Sequence, residues 1–301
     1  MRNSDSPREV SGKTRIDPGA GGSDTLFFVV FTDLDGTLLD HDTYSWEEAR
    51  PALEACRSRG VPVVMVSSKT GAEMEIMRLE LGSPAPFISE NGGGIFFPKD
   101  GVREPPPEAV LSGNHWIWSL GPSYEGLVAA LHAIREELGW EEIRGFSDMP
   151  IEEISKLTGL DREACRLAAG RDYDEPFILG KPGKREISRL EMAAGARGLR
   201  VSMGGRFFHL HGKNDKAEAV QRLISWYKKK HRWVSTIGLG DSPNDFGMLK
   251  GVTYPVLIRS EQCFPGIERD ISGLRITEEM GPKGWNAAIL DILQELEGGL
   301  S

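Results

Sequence analysis

Short apolar runs that stop abruptly at small polar residues recur along this chain, chiefly near its two ends. The first is Leu26 to Phe31, six apolar residues followed by Thr32-Asp33-Leu34-Asp35-Gly36-Thr37. Its length and uninterrupted character predict a strand buried on both faces of a parallel sheet. Thr43 to Arg59 then has helical spacing, with Ala49, Leu53 and Cys56 on one face and Ser45 or a neighbour as the cap. Pro51 is tolerated only in a first turn, so the regular helix is expected to begin near Arg50. After Gly60 a second run, Val61 to Val66, leads into Ser67-Ser68-Lys69-Thr70. A strand, helix and strand of these lengths form a right-handed crossover, which sets Ser67 beside Asp33 at one sheet edge.

A helix over Glu73 to Leu81, a strand over Phe87 to Ser89, a loop Glu90-Asn91-Gly92 and a hairpin-like strand over Ile95 to Phe97 follow. The three consecutive glycines Gly92, Gly93 and Gly94 would let backbone approach a ligand closely, but they lack the spacing of a phosphate-binding loop. From about Lys99 the pattern changes to α+β order. A strand is expected at Trp116 to Leu120 and a helix at Tyr124 to Leu138. Short helices at Ile151 to Thr158 and Arg162 to Ala169 precede a strand at Phe177 to Leu179. A helix at Lys184 to Gly198 and strands at Leu199 to Met203 and Arg206 to His211 complete the segment. The opening pattern then returns: helix Lys216 to Lys230, strand Val234 to Leu239 ending in Gly240-Asp241-Ser242-Pro243-Asn244-Asp245, helix Phe246 to Lys250, strand Tyr254 to Ile258 and helix Trp285 to Leu296. The predicted class is α/β, a doubly wound parallel sheet (residues 25–98 and 210–301) carrying an inserted α+β domain (99–209). Residues 1–24, rich in Ser, Gly, Arg and Asp, are expected to form a disordered tail.

Composition narrows the function classes. At 301 residues, 39% hydrophobic and 27% charged, the chain has room for two domains and an ordinary core. A net charge of -9 argues against general nucleic-acid binding. No segment approaches the roughly 18 consecutive apolar residues that span a bilayer. Three scattered cysteines, Cys56, Cys165 and Cys263, form neither a disulfide framework nor a zinc pair, which fits a cytoplasmic protein. A monomer and a homodimer fit equally well.

Candidate chemistry lies where the apolar runs end. Two acids at the end of a buried strand, Asp33 and Asp35, are costly unless a cation sits between them. The alternative is a solvated Asp-Gly turn. Ser67, Asp241 and Asp245 are predicted to reach the same crevice, where open α/β sheets bind ligands. An ionised Asp can attack phosphorus, and its repulsion of a phosphate calls for a divalent metal, for which Asp241 adds a hard oxygen. A hydroxyl (Ser67) and an ammonium (Lys216 or Lys213) suit the equatorial phosphoryl oxygens.

The combination of Asp33-Leu34-Asp35-Gly36-Thr37, a hydroxyl after the second strand, a lysine, and Gly240-Asp241-x-x-Asn244-Asp245 resembles the haloacid dehalogenase (HAD) superfamily of phosphatases, with a Rossmann-like core. The resemblance implies Asp33 as nucleophile and Asp35 as general acid, then base. It implies Mg²⁺ held by Asp33, the Asp35 carbonyl and Asp241, with Asp245 orienting that shell and Asn244 holding Ser67 or Lys216. Only 34 positions separate Asp33 from Ser67, whereas 149 separate Ser67 from Lys216, the layout of a C2-type cap. Further segments, among them SENGGGIFF, RDYDEPF and GGRFFHLHG, resemble the mannosyl-3-phosphoglycerate phosphatases from about Phe28 to Leu293. That implies hydrolysis of 2-O-mannosyl-3-phosphoglycerate to the compatible solute mannosylglycerate. Ala217 departs from the glycine expected after Lys216.

A phosphorylated sugar acid needs cations for its carboxylate and polar groups for its hydroxyls. Glu90, Asn91, Arg171, Glu175 and Arg206 are the candidates for substrate binding, with Lys181 a weaker one; each is also compatible with a solvated surface. His209 and His211 share a strand face but lack a third zinc ligand. The rival functions are a phosphatase for glucosyl-3-phosphoglycerate, sucrose phosphate or trehalose phosphate, a phosphosugar mutase or phosphotransferase, and a non-enzymatic phosphosugar-binding module.

Overall fold

The computed structural model describes residues 26–204 and 206–298; the expected tail, 1–24, lies outside them. The first strand, Phe27–Thr32, is second from the edge of a five-stranded parallel sheet. Val63–Met65 lies on one side of it and Val234–Gly240 on the other, followed by Tyr254–Arg259 and Arg275–Met280. Each inner strand is apolar on both faces because helices cover both. One cluster gathers Leu34, Leu38, Ala52 and Met74 around the helix Gly281–Gly298, whose Trp285 is fully buried. The other packs Val29, Phe31 and Val64 against Ala219, Leu223 and Ile224 of the helix Lys216–Lys230. The helix after the first strand runs Arg50–Ser58 with Pro51 in its first turn, as Pro51 requires. The expectation missed the strand Arg275–Met280. It is a mostly exposed edge with three acidic or basic side chains, so no apolar run announces it.

A bridge between Val66 and Ile88 couples this sheet to an antiparallel one, Phe87–Ser89, Gly94–Pro98, His115–Ser119 and Val110–Ser112. This corrects the expected domain boundary. Residues 99–121 do not open the inserted domain. His115–Ser119 hydrogen-bonds to Gly94–Pro98, and Trp116 and Trp118 pack on the core cluster that contains Phe97 and Trp226. The insertion therefore begins near Ser123, the cap of the helix Tyr124–Leu138, and the chain re-enters the core at about Gly212.

The inserted domain is an antiparallel sheet in the order Arg144–Gly145, Asp174–Ile178, Phe207–His211, Arg200–Gly204. Helices Tyr124–Leu138 and Lys184–Ala196 cover one face, burying Leu127, Leu131, Leu190, Phe177, Phe208 and Leu210. Ile151–Thr158 and Arg162–Ala169 contribute Ile154 and Cys165 to a smaller cluster with Phe146, Ile178 and Phe207. All three cysteines are free, and among the described residues no helix is long and apolar enough to cross a membrane.

Candidate active site

The carboxyl ends of three adjacent strands, Phe27–Thr32, Val63–Met65 and Val234–Gly240, converge as the apolar runs predicted. The backbone N–H of Asp33 donates to Leu239 O at 2.9 Å, and that of Val66 donates to Thr32 O at 2.8 Å. Asp33 is thereby set between the turn that carries Asp241 and the loop that carries Ser67. Thr32 Oγ1, which donates to Asp33 O, accepts in turn from the indole N–H of Trp285 at 3.0 Å, so the buried end of the strand is held from below.

Carboxylate oxygens of Asp33, Asp241 and Asp245 lie within 4.8 Å of one another, the only such group of metal-type ligands among the described residues. Lys216 enters this cluster. Its ammonium donates to Asp33 Oδ1 at 2.5 Å and to Asp245 Oδ1 at 2.8 Å. Of the two candidate lysines, Lys216 is buried at the start of its helix and reaches the cluster, whereas Lys213 is exposed. Burial pushes the Asp33 carboxyl above the ordinary carboxylate range, with Lys216 pulling the other way. Burial also works against the Lys216 ammonium, but Asp33 and Asp245 outweigh it and raise its pKa.

Three carboxylates against one ammonium leave an excess of negative charge among hard oxygen donors, which fits a divalent cation such as Mg²⁺. Asp245 is saturated by protein groups. Its Oδ2 accepts from the N–H groups of Asp241 and Ser242 and from Ser242 Oγ, while Oδ1 holds Lys216. Asp33 and Asp241 are the freer ligands, and Asp245 builds the turn that presents Asp241. Thr37 Oγ1 donates to Asp241 Oδ1 at 3.2 Å. Gly36, at φ 75°, is needed in two ways: the left-handed turn disfavours side chains, and a Cβ there would lie 2.9 Å from Asp241 Oδ2.

Asp35 sits at the half-exposed rim, where Lys69 donates to its Oδ2 at 2.8 Å and its Oδ1 is buried without a partner. Lys69 had no place in the expected site; its only sequence signal was two positions' separation from Ser67. Its backbone N–H also donates to Ser67 Oγ at 3.2 Å, so one residue organises both side chains. Asn244 is not brought to Ser67 or Lys216. Its side chain is exposed, and the role expected of it falls to Asp245, which holds Lys216.

The expected substrate residues divide sharply. Glu90 is buried, and its carboxylate accepts from the N–H groups of Asp172 and Tyr173 at 3.0 and 2.9 Å, pinning the inserted domain to the core. Asn91 is exposed at φ 52°, and its N–H donates to Ser67 O. The glycines that follow admit protein rather than ligand: a Cβ on Gly92 would meet Asp215 O at 2.2 Å, and one on Gly93 would meet Tyr173 Cβ at 2.4 Å. Arg171 donates to Ala168 O, to Ser68 O and to Asp174 Oδ2, bridging cap and core. Glu175 points to the helix-covered side of the cap sheet, where Ser147 N and Oγ donate to its Oε1. Arg206 is exposed and donates to Leu157 O. Lys181 is exposed. His209 and His211 share the other face as expected, but His209 Nδ1 is held by Asp174, and both nitrogens of His211 by Gly212 O and Ser202, rather than arranged for a metal.

A mononucleotide-fold core whose strand ends carry this aspartate cluster, with a four-stranded cap inserted after the serine strand, defines a class. The chain belongs to the haloacid dehalogenase-like hydrolases, whose defining pattern matches residues 30–104. Within it, the chain is 41% identical over 265 residues (88% of its length, 97% of the relative's) to a glucosyl-3-phosphoglycerate/mannosyl-3-phosphoglycerate phosphatase of Methanococcoides burtonii. A relative of the same name from Persephonella marina is 41% identical over 90% of this chain and 99% of its own. The fold is shared with the solved HAD subclass IIB sugar phosphatase BT4131, at a TM-score of 0.57, 16% identity and coverage of 88% and 98%. The protein is an enzyme, a phosphoric monoester hydrolase.

Proposed function

We propose that this enzyme hydrolyses 2-O-mannosyl-3-phosphoglycerate to mannosylglycerate and phosphate, and accepts the glucosyl analogue as well. The observation that carries the substrate is the 41% identity, over nearly the whole chain, to relatives named for both hexosyl-3-phosphoglycerates. The chemistry is supported by the Asp33, Lys216 and Asp245 geometry.

A carboxylate oxygen of Asp33 attacks phosphorus, and the bond to the C3 oxygen of the glycerate breaks. Asp35, on the rim two residues away, gives its proton to that departing oxygen and so enters the second half as a base. Water then attacks the aspartyl phosphate, Asp35 takes its proton, and the phosphorus–oxygen bond to Asp33 breaks, restoring both carboxyls. Lys216 and Ser67 hold the equatorial oxygens while charge moves among them. Mg²⁺ at Asp33, the Asp35 carbonyl and Asp241 would offset the repulsion between substrate phosphate and the aspartates. Arg171 and Asn91 stand at the rim, where a second anion or hydroxyl of the substrate would lie, and Arg206 marks the outer cap. The setting is a cytoplasmic one for a small anionic metabolite.

The test is phosphate release with Mg²⁺ from a panel of mannosyl- and glucosyl-3-phosphoglycerate, sucrose phosphate and trehalose phosphate. The two hexosyl-3-phosphoglycerates should be the best substrates. Vigorous hydrolysis of another sugar phosphate with neither of these turned over would overturn the reading. Transfer of the phosphoryl group to a sugar instead of water would assign a mutase.

A further inference from the structure

Among the described residues, two buried carboxylate oxygens of the cap, Asp174 Oδ1 and Glu175 Oε2, have no hydrogen-bond partner, and the position of the first, on the side of the sheet away from the covering helices, is informative. Asp174 is 7% exposed, yet its Oδ1 is buried with no hydrogen bond. Leaving such an oxygen unpaired costs roughly 1–3 kcal/mol, more when it is charged. Asp174 is charged. Although burial opposes ionisation, the hydrogen bond from His209 and the guanidinium of Arg171 hold its carboxyl below the ordinary range. Its other oxygen, Oδ2, accepts from His209 Nδ1 at 2.8 Å and from Arg171 at 3.2 Å. Because a carboxylate only accepts, Nδ1 of His209 carries the proton, and its Nε2 is left for another partner.

Strand alternation places this pair opposite the helices. Glu175, Phe177, Phe208 and Leu210 face Tyr124–Leu138 and Lys184–Ala196; Asp174, His209, His211 and Ser202 take the other side, with His211 opposite Asp174 and His209 opposite Ser202 in register. That side is tied to the reacting crevice. The same Arg171 nitrogen that reaches Asp174 also donates to Ser68 O at 3.1 Å, next to Ser67. A continuous hydrogen-bonded path thus runs from the loop beside the phosphoryl site, through Arg171, to Asp174 and His209.

We propose that Asp174 and His209 recognise the sugar of the substrate, Oδ1 of Asp174 accepting from one hydroxyl and Nε2 of His209 bonding its neighbour. The ligand class is a hexosyl group with adjacent hydroxyls, attached to the phosphorylated acid; the inference rests on the sugar-phosphate reading above. Oδ1 is buried in this structure, so on this proposal the groups around it move apart as the substrate binds. The phosphoryl transfer itself involves neither residue. Through Nε and Nη1 Arg171 donates to Ala168, Ser68 and Asp174, and acts here as a positioning residue that holds Asp174 in line with the crevice.

The experiment compares kcat/KM for mannosyl-3-phosphoglycerate with that for p-nitrophenyl phosphate, which has no sugar, in the wild type, Asp174→Asn and His209→Gln. The ratio should fall roughly 10- to 100-fold in each variant, mainly through KM, as expected when a hydrogen bond to a charged group is lost. A substrate lacking the hydroxyl that Asp174 accepts should cost the wild type a similar factor and Asp174→Asn almost nothing. Equal losses on both substrates would make the pair a structural brace and overturn the proposal, as would an unchanged ratio in both variants. If Asp174→Asn does not fold, His209→Gln carries the same comparison. If the wild type ignores mannosyl-3-phosphoglycerate, the substrate reading fails separately, and the same ratio is taken with whichever sugar phosphate of the panel it prefers.

Discussion

Lys216 and Asp33 form the buried ion pair on which the site is built, 2.5 Å apart with side chains 2% and 10% exposed. Since Lys216 also binds Asp245, it neutralises part of a cluster that would otherwise hold three close carboxylates. Replacing Lys216 by Met should therefore do two things. Two buried carboxylates lose their partner, at a cost of about 3–5 kcal/mol, visible as a lower urea midpoint. Phosphate release should fall by about 10²–10³-fold, since a preorganised donor to the transferring group is lost. Normal turnover in a folded Lys216→Met enzyme would remove Lys216 from the phosphoryl site.

The excess negative charge of Asp33, Asp241 and Asp245 predicts a response to divalent metal apart from catalysis. Mg²⁺ at about 100 times its dissociation constant should stabilise the fold by about 2.7 kcal/mol. The rise in Tm on adding Mg²⁺ to EDTA-treated protein should vanish in Asp241→Asn. Phosphatase activity should be lost in EDTA and restored by Mg²⁺.

Glu90 predicts how cap docking depends on pH. Its carboxyl is pushed up from 4.5 to about 7, mainly by burial, with Arg171 and the N–H groups of Tyr173 and Asp172 opposing and Asp174 adding to the rise. A folded value above the ordinary one means that the contact is strongest below pH 4.5. It weakens as pH rises to about 7 and changes no further above that, a total of about 3 kcal/mol. Hydrogen exchange at Asp172 and Tyr173 should accordingly be faster, relative to its intrinsic rate, at pH 8 than at pH 5. Glu90→Gln should flatten that dependence.

Glu175 separates packing from recognition. Ser147 supplies its hydrogen bonds beneath the cap helices, and burial raises its carboxyl pKa. Glu175→Ala should lower stability by about 1–3 kcal/mol in denaturant melts and leave KM for the sugar phosphate close to that of the wild type. A large rise in KM with unchanged stability would return Glu175 to the substrate.

What the sequence by itself determined was the chemistry of the strand ends. Uninterrupted apolar runs mark strands buried on both faces, and the polar residues that stop them must emerge at a sheet edge, so Asp33, Ser67 and Asp241 were legible as neighbours. The long gap before Lys216 likewise implied an inserted lid. These are local signals: run length, turn residues and spacing. Tertiary structure decided what depends on which partner covers a face. Glu175 and Asp174 are adjacent, and only the helices packed on one side of their strand set Glu175 among them and Asp174 on the opposite side. Glu90 had to be placed against Tyr173, 83 residues away, before its carboxylate was seen to join two domains. Trp116 and Trp118 belong to the core because Gly94–Pro98 pairs with their strand. Asp245, not Asn244, holds Lys216 because the turn after Gly240 folds Asp245 inward to satisfy its own N–H groups and leaves Asn244 in solvent. Two acids on one turn are equivalent in composition; the direction of burial ties Asp245 to Lys216 and the turn's N–H groups and leaves Asp241 with the freer carboxylate.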